Sequence, residues 1–476
     1  MKSILRTFLT PLILLLVMSV RTSAQHEEAV NDSLFNLVKK EINAQNGEAI
    51  YAMLSTDFQA NISKEQFTGI LKANLYPLGA IVETTYLGYT DNRSNYKAVC
   101  PNGVLEFRIT GDKDGKIAGL RFLPYKEPVG TKDYVVPSNN PMQSHIDSAV
   151  DRIARVYMNK VNTVGMSIGI IRKGTAATYG YGSIAVNSDK IPDADAIFEI
   201  GSVTKTFTAT LLAYYANEHK VGLNDAITKF LPDSVAANKD LQQVTLQMLA
   251  NHTSGLPRLP DNLFTSATNM QNPYKDYDRE KLYAYLKKCK IKSGSGGKYA
   301  YSNLGAGLLG SILEDVSGKS YEQMVTDIIC TPLGMSSTYT HPSAMQAERQ
   351  VAVHDDKGKP VVMWDMNVLA GAGAVRSTVH DMVLYVLANM QNQNGKLPEA
   401  MDLTHKLTYE KEVTVGLGWH IVKGKSTVCW HNGGTGGCST MVTFDPAKQT
   451  GVVVLANSAE STDAVGQQIL AVLQQE

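Results

Sequence analysis

Ser202 and Lys205 stand three residues apart at the head of an apolar, helix-forming run, EIGSVTKTFTATLLAYYANE. On a helix, positions i and i+3 share a face, so the lysine amine can reach the serine hydroxyl. A serine hydroxyl is a weak nucleophile until a base takes its proton, and a lysine is a base only when neutral. Burial and cationic neighbours would have to bring its pKa from about 10.4 towards 7 or 8. The helix N-terminus would add partial positive charge where an oxyanion forms. The same residues also fit an N-capping serine beside a solvated lysine, and Ser-x-x-Lys should arise about twice by chance in a chain of this length. Two further constellations follow: Tyr301-Ser302-Asn303 within KYAYSNLGAGLLG, and His431-Asn432-Gly433 within CWHNGGTGGCST. Singly, Tyr301 fits a core aromatic, His431 a strand histidine satisfied by backbone, and NGGTGG a hairpin turn. Those readings do not explain why the three occur together.

Ser-x-x-Lys, Tyr-x-Asn and a basic residue two before a glycine, in this order, resemble the serine β-lactamase and penicillin-binding-protein superfamily, and Tyr-x-Asn resembles its class C-like branch. VTLQMLANHTSGLP, GLNDAITKFLPD, TPLGMSSTYT, GAGAVRSTVHDM and VGLGW are similar to that branch as well, so the resemblance spans residues 142–470. It implies that Ser202 is the nucleophile and Lys205 its base. Tyr301 would pass protons to the leaving group and help activate the deacylating water, with Lys205 keeping it partly ionised. Asn303 would hold the substrate's amide side chain and help position Lys205. The backbone N–H groups of Ser202 and Gly434 would form the oxyanion hole, and Gly433 would let substrate lie against the strand. No cofactor or metal is implied.

In one place the chain departs from that pattern. The lactamases of the superfamily carry Lys-Thr-Gly where this chain has His431-Asn432-Gly433, and HNGGTGG is similar to D-alanyl-D-alanine carboxypeptidase/endopeptidase-like members. The resemblance therefore implies a hydrolase working through an acyl-enzyme on D-amino-acid-containing cell-wall peptides, with β-lactams as poor substrates or inhibitors. The alternatives are a class C-like β-lactamase or small-ester esterase, and a non-catalytic penicillin-binding sensor or scaffold. A histidine with an ordinary pKa near 6.5 would hold a substrate carboxylate with a pull that fades between about pH 6 and 8.

Such a site needs a large scaffold. A chain of 476 residues, 43% hydrophobic and 19% charged, is long enough for two or three folded domains. Its 45 Lys and Arg balance its 45 Asp and Glu, which removes the basic footprint of a nucleic-acid binder. The expected partner is a small peptide, lactam or ester. Lys2 and Arg6, an apolar run from Phe8 to Val20 and the small residues Thr22-Ser23-Ala24 read as a secretory leader over residues 1–24. The run is short for a membrane span, so the mature chain is expected to be exported, periplasmic or secreted from a bacterium, without an integral span; an N-terminal anchor is the alternative. Cys100, Cys289, Cys330, Cys429 and Cys438 form neither a disulfide framework nor a metal motif. Cys429 and Cys438 read as two separate, half-buried thiols, with a bridge across the glycine-rich turn as the alternative.

Helix-like stretches over 29–45, 47–59 and 63–75, the last opening with Ser63 and Gln66 in capping-box spacing, precede four strand-like stretches. This order indicates a small α+β domain over 25–125. It resembles cone-shaped, nuclear-transport-factor-2-like domains, which implies an accessory or substrate-guiding role. Residues 126–141, with three prolines, read as a linker. Residues 142–476 begin with a helix and hairpin and end with three strands and a helix from Asp463, with helical material between. That pattern is α+β rather than doubly wound: an antiparallel sheet built from both ends of the segment, with a helical subdomain, as the β-lactamase/transpeptidase resemblance implies.

Overall fold

The computed structural model describes residues 10–475 apart from 91, 126, 128, 292–296 and 392. The expected leader therefore begins outside the described residues. Among the described residues no helix is long and apolar enough to cross a membrane. The chain divides into two compact units, Met1–Pro128 and Val129–Glu476.

In the first unit, the strands Glu83–Thr90, Arg93–Cys100, Gly103–Gly111 and Ile117–Pro124 pair in sequence order as an antiparallel meander. Burial alternates along Arg93–Cys100, as one covered face requires. The covering element is the helix Thr10–Asn43, whose Phe35 ring stacks on Tyr96 at 3.7 Å and meets Phe107 edge-on at 5.7 Å. The helix Lys64–Asn74 opens with the expected capping box of Ser63 and Gln66. The helix expected over 47–59 is instead two, Gly47–Met53 and Thr56–Asn61. Between them Leu54 is buried, the Ser55 N–H donates to Ile117 O at 2.9 Å, and the Ser55 hydroxyl accepts from Phe58 N. A sheet contact and a new cap outcompete helix continuation there.

The second unit is built on an eight-stranded antiparallel sheet. Its spatial order is Tyr409–Glu410, Thr414–Val415, His420–Lys423, Thr427–Gly434, Ser439–Asp445, Thr450–Ala456, Gly165–Arg172 and Thr175–Gly182. The hairpin from the start of the unit thus pairs with the last strand, Gly169 opposite Val453. Ser439–Asp445 and Thr450–Ala456 are buried throughout. One face packs on the helices His145–Met158 and Asp463–Gln475 and the other on Val379–Met390. Coverage on both faces is why these strands read as continuous apolar runs.

The helix Thr204–Asn217 is buried on nearly every side, and its Phe207 stacks on Tyr385 at 4.2 Å. The cost of its buried threonines is met locally: Thr206 Oγ1 donates to Val203 O at 2.8 Å, Thr210 Oγ1 to Thr206 O at 2.9 Å, and Thr208 Oγ1 to Gly371 O at 2.8 Å. All five cysteines are free and buried. Cys429 pairs opposite Phe444 while Cys438 sits at the turn, so the two thiols are separate, and fully rather than half buried.

Residues 129–141 do not form a free linker. Val136 is buried, Lys132 N donates to Asn159 O at 2.7 Å, and Asn139 exchanges hydrogen bonds with Gly180 at 2.6 and 3.1 Å. Proline forbids helix there but permits an extended strap along a sheet edge. A chain beginning at residue 129 is expected to fold alone, because the second unit owns its cores. One beginning at residue 142 should melt at least about 5 °C lower by circular dichroism. Equal melting temperatures would make the strap dispensable.

Candidate active site

Ser202 sits in a single 3-10 turn, Gly201–Val203, that leads into the helix Thr204–Asn217. The helix has no side-chain cap at its start, so the Ser202 hydroxyl is not spent on capping. It lies 2.9 Å from Lys205 Nζ, which also donates to Ala372 O at 2.7 Å. Lys205 is only 3% exposed. Burial, and then the nearby Arg258 guanidinium, push its pKa well below the ordinary lysine value. Both effects favour the neutral amine, the form in which a lysine could accept the serine proton. The solvated-lysine reading is thereby excluded.

The strand Thr427–Gly434 lies directly on this turn. A Cβ at Gly433 would come within 2.1 Å of Ile200 O, and one at Gly201, whose φ is +50°, within 2.8 Å of Gly434 N. Only glycine permits that approach, which sets the Gly433–Gly434 backbone against that of Ile200–Ser202. Gly433→Ala is expected to wedge the strand away and lower kcat about 100- to 1,000-fold, the cost of misplacing an oxyanion donor. Steady-state kinetics beside an unchanged far-ultraviolet spectrum would check this.

Tyr301 completes the centre. Its ring has Lys205 Nζ at 4.9 Å, Arg258 Cζ at 5.2 Å and the His252 ring at 4.3 Å. Burial pushes the phenol up to about 12, with a hydrogen bond to Ser202 and the Arg258 charge pulling the other way. Tyr301 is therefore protonated at neutral pH, not partly ionised as expected. Lys205 and Tyr301 are pushed in opposite directions, the pattern that would suit a base and an acid.

The middle residue of the Tyr-Ser-Asn motif is structural. Ser302 Oγ caps the helix Asn303–Ser317 by accepting from Gly305 N at 2.9 Å, and donates to Pro257 O at 2.7 Å. Its N–H donates to His252 Nδ1 at 3.2 Å. Asn303 donates its backbone N–H to Arg258 O at 3.0 Å, its side chain hydrogen-bonds Tyr274, and its Oδ1 is buried without a partner. Among the described residues Lys205 is held by Ala372 rather than by Asn303.

His431 is 1% exposed. Its Nδ1 donates to Asn432 O at 2.6 Å, and its Nε2 is buried without a partner. Burial, with His420 and Lys205 nearby, drives its pKa well below 6.5. The expected charge change between pH 6 and 8 is thus overturned: His431 is neutral across that range. A protein-wide desolvation, invisible in the motif, decides this.

Ser202, Tyr301, Gly433 and Gly434 line a cleft of about 460 Å³, with Arg258 and Asp463 among its walls, whereas Lys205, Asn303 and His431 are not among its lining residues. Among the described residues no group of three or more His, Cys, Asp or Glu could hold a metal ion. A family model described as Beta-lactamase matches residues 150–476. The chain belongs to the beta-lactamase family. A beta-lactamase of Lysobacter lactamgenus is 28% identical over 359 residues, covering 68% of this chain and 90% of the relative. The D-alanyl-D-alanine-carboxypeptidase/endopeptidase AmpH of Escherichia coli (strain K12) is 28% identical over 333 residues, covering 66% and 84%. Among solved structures, a class C beta-lactamase aligns with a TM-score of 0.62 at 29% identity, over 70% of this chain and 98% of that one.

Within this beta-lactamase-family site, four residues carry no role in the motif reading. His252 and Arg258 both lie in ANHTSGLPR; the Gly-Leu-Pro turn there was the available signal. His252 takes a left-handed φ of +63° and packs on Tyr301. Glu199, buried two residues before the turn, accepts from Thr435 Oγ1 at 2.7 Å and Trp364 N at 2.6 Å, so it clamps the strand's turn to the serine. Asp463 accepts from Asn432 Nδ2 at 2.9 Å. No local pattern marks either acid.

Proposed function

We propose that this chain is an exported serine hydrolase of D-amino-acid-containing peptides, with Ser202 forming an acyl-enzyme. The observation that carries the reading is Lys205, buried, with its pKa pushed well below the ordinary lysine value, 2.9 Å from Ser202 Oγ. In the proposed cycle Lys205 takes the serine proton as Oγ attacks the carbonyl. The N–H groups of Ser202 and Gly434 hold the oxyanion, and Gly433 lets the substrate approach the strand. Tyr301, protonated beside Ser202, gives its proton to the leaving amine and is reprotonated as water enters for deacylation. Asn303, whose buried Oδ1 is unpartnered, accepts a substrate amide N–H. His431 shapes the strand without carrying charge.

Family membership supports hydrolase chemistry on lactams or D-alanyl peptides. The similarity of HNGGTGG to carboxypeptidase/endopeptidase-like members, and the AmpH relative, favour the peptide over the lactam. The leader-like residues 1–24 support export, and the first unit, with a core of its own, is read as an accessory module.

A hydrolysis panel tests the reading. D-alanyl-D-alanine peptides and p-nitrophenyl esters are expected to turn over with a larger kcat/KM than a chromogenic cephalosporin. A cephalosporin preferred over both would make the protein a β-lactamase. Stoichiometric labelling by a penicillin without turnover of any substrate would make it a sensor.

A further inference from the structure

Two walls of the cleft carry opposite charge, and neither belongs to the Ser-Lys-Tyr centre. Arg258 and Asp463 are the charged side chains among the lining residues. His420, which also lines the cleft, is neutral, because burial lowers its pKa to about 4.

The Arg258 wall is built to present a cation. Arg258 O accepts from Asn303 N at 3.0 Å and Leu304 N at 3.2 Å, which ties its loop to the first turn of the helix Asn303–Ser317. Its guanidinium rests over the Tyr301 ring, 5.2 Å from the centroid, and the side chain is exposed. A guanidinium held against an aromatic face is oriented while its N–H edges stay free for a planar anion.

The strand wall is the reverse. A carboxylate approaching the His431-Asn432-Gly433 strand would find His431 buried at 1% exposure and outside the cleft lining, and an asparagine with one amide N–H already donated to Asp463 Oδ2 at 2.9 Å. It would also meet the Asp463 carboxylate, partly exposed at the start of the helix Asp463–Gln475. That wall repels an anion and suits an ammonium group.

We propose that the cleft selects a zwitterionic peptide, its carboxylate read by Arg258 and its ammonium group by Asp463. The inference rests on the hydrolase reading above and names the substrate class of that site. It relocates carboxylate recognition from the strand to the loop of residues 251–260.

The test uses the full chain and three ester substrates of equal length: uncharged, carboxylate-bearing, and bearing both a carboxylate and an ammonium group. The wild type is expected to rank kcat/KM in the order zwitterion, carboxylate, neutral. Arg258→Ala should cut the carboxylate-to-neutral ratio about ten- to hundredfold, as loss of a charge-assisted hydrogen bond implies. Arg258→Lys should restore much of that ratio. Asp463→Asn should cut the zwitterion-to-carboxylate ratio several-fold without lowering the carboxylate-to-neutral ratio, which relief of repulsion would hold or raise. Because ratios are read, any general effect of Arg258 on Lys205 or Tyr301 cancels. An equal fall for all three esters in Arg258→Ala would overturn the proposal, as would a wild type that prefers the neutral ester. A fluorophosphonate separates the two levels of failure. Ser202 labelled without charge preference sinks this inference alone, whereas an unlabelled Ser202 with no ester turned over sinks the hydrolase reading beneath it.

Discussion

Ser202→Ala is expected to lose hydrolysis of every substrate by about ten-thousandfold or more, and to lose covalent labelling by fluorescent penicillin or fluorophosphonate altogether. The hydroxyl is the only group on the 3-10 turn 2.9 Å from Lys205 Nζ, and it is free because the helix start carries no side-chain cap. Removing it should cost little stability, since Lys205 keeps its bond to Ala372 O and the Tyr301 hydroxyl, which loses Ser202 as a partner, lines the cleft where water can replace it. A circular dichroism melt close to that of the wild type would separate lost chemistry from lost fold. Persistent labelling of the variant would move the nucleophile elsewhere.

Replacing the base should be nearly as severe, and its pH dependence identifies it. Lys205→Arg keeps a cation in the pocket but cannot be deprotonated, so kcat/KM is expected to fall at least about a thousandfold. In the wild type the sign is set by the requirement for a neutral amine. Activity should rise with pH through the depressed Lys205 pKa and then stay level, because Tyr301 does not ionise until about 12. His431 and His252 are both driven well below 6.5 by burial, so neither contributes a limb between pH 6 and 8. A wild-type profile with a midpoint near 6.5 that survives in Lys205→Arg would assign the base to a histidine and refute this arrangement. Tyr301→Phe should keep the shape of the profile while lowering its height, since an acid that stays protonated throughout contributes magnitude and no inflection.

Local features were legible without the fold. The i, i+3 spacing of Ser202 and Lys205, the Ser63–Gln66 capping box and the alternation in Arg93–Cys100 each depend on neighbours within a few positions, and the structure contains all three. The sheet closed from both ends was legible too, because long apolar runs flank a helical middle and can be covered only by pairing with one another. The charge states were not legible. The pKa shifts of Lys205, Tyr301 and His431 come first from burial by the assembled fold and then from charges that folding brings near, Arg258 beside Lys205 and His420 beside His431. The proline-bearing strap of residues 129–141 reads as a linker because its composition forbids helix; its partners, the strand Thr175–Gly182 and the end of the helix His145–Met158, are supplied by the fold. Arg258 and Asp463 share a cleft although some two hundred residues separate them, as their loop and helix are brought together by the same packing that sets Gly433 on Ile200. Residue types and their order along the chain are enough to show which groups could carry out acyl transfer. The tertiary structure decided their protonation, because the energy of a charge depends on everything packed around it and not on its neighbours along the chain.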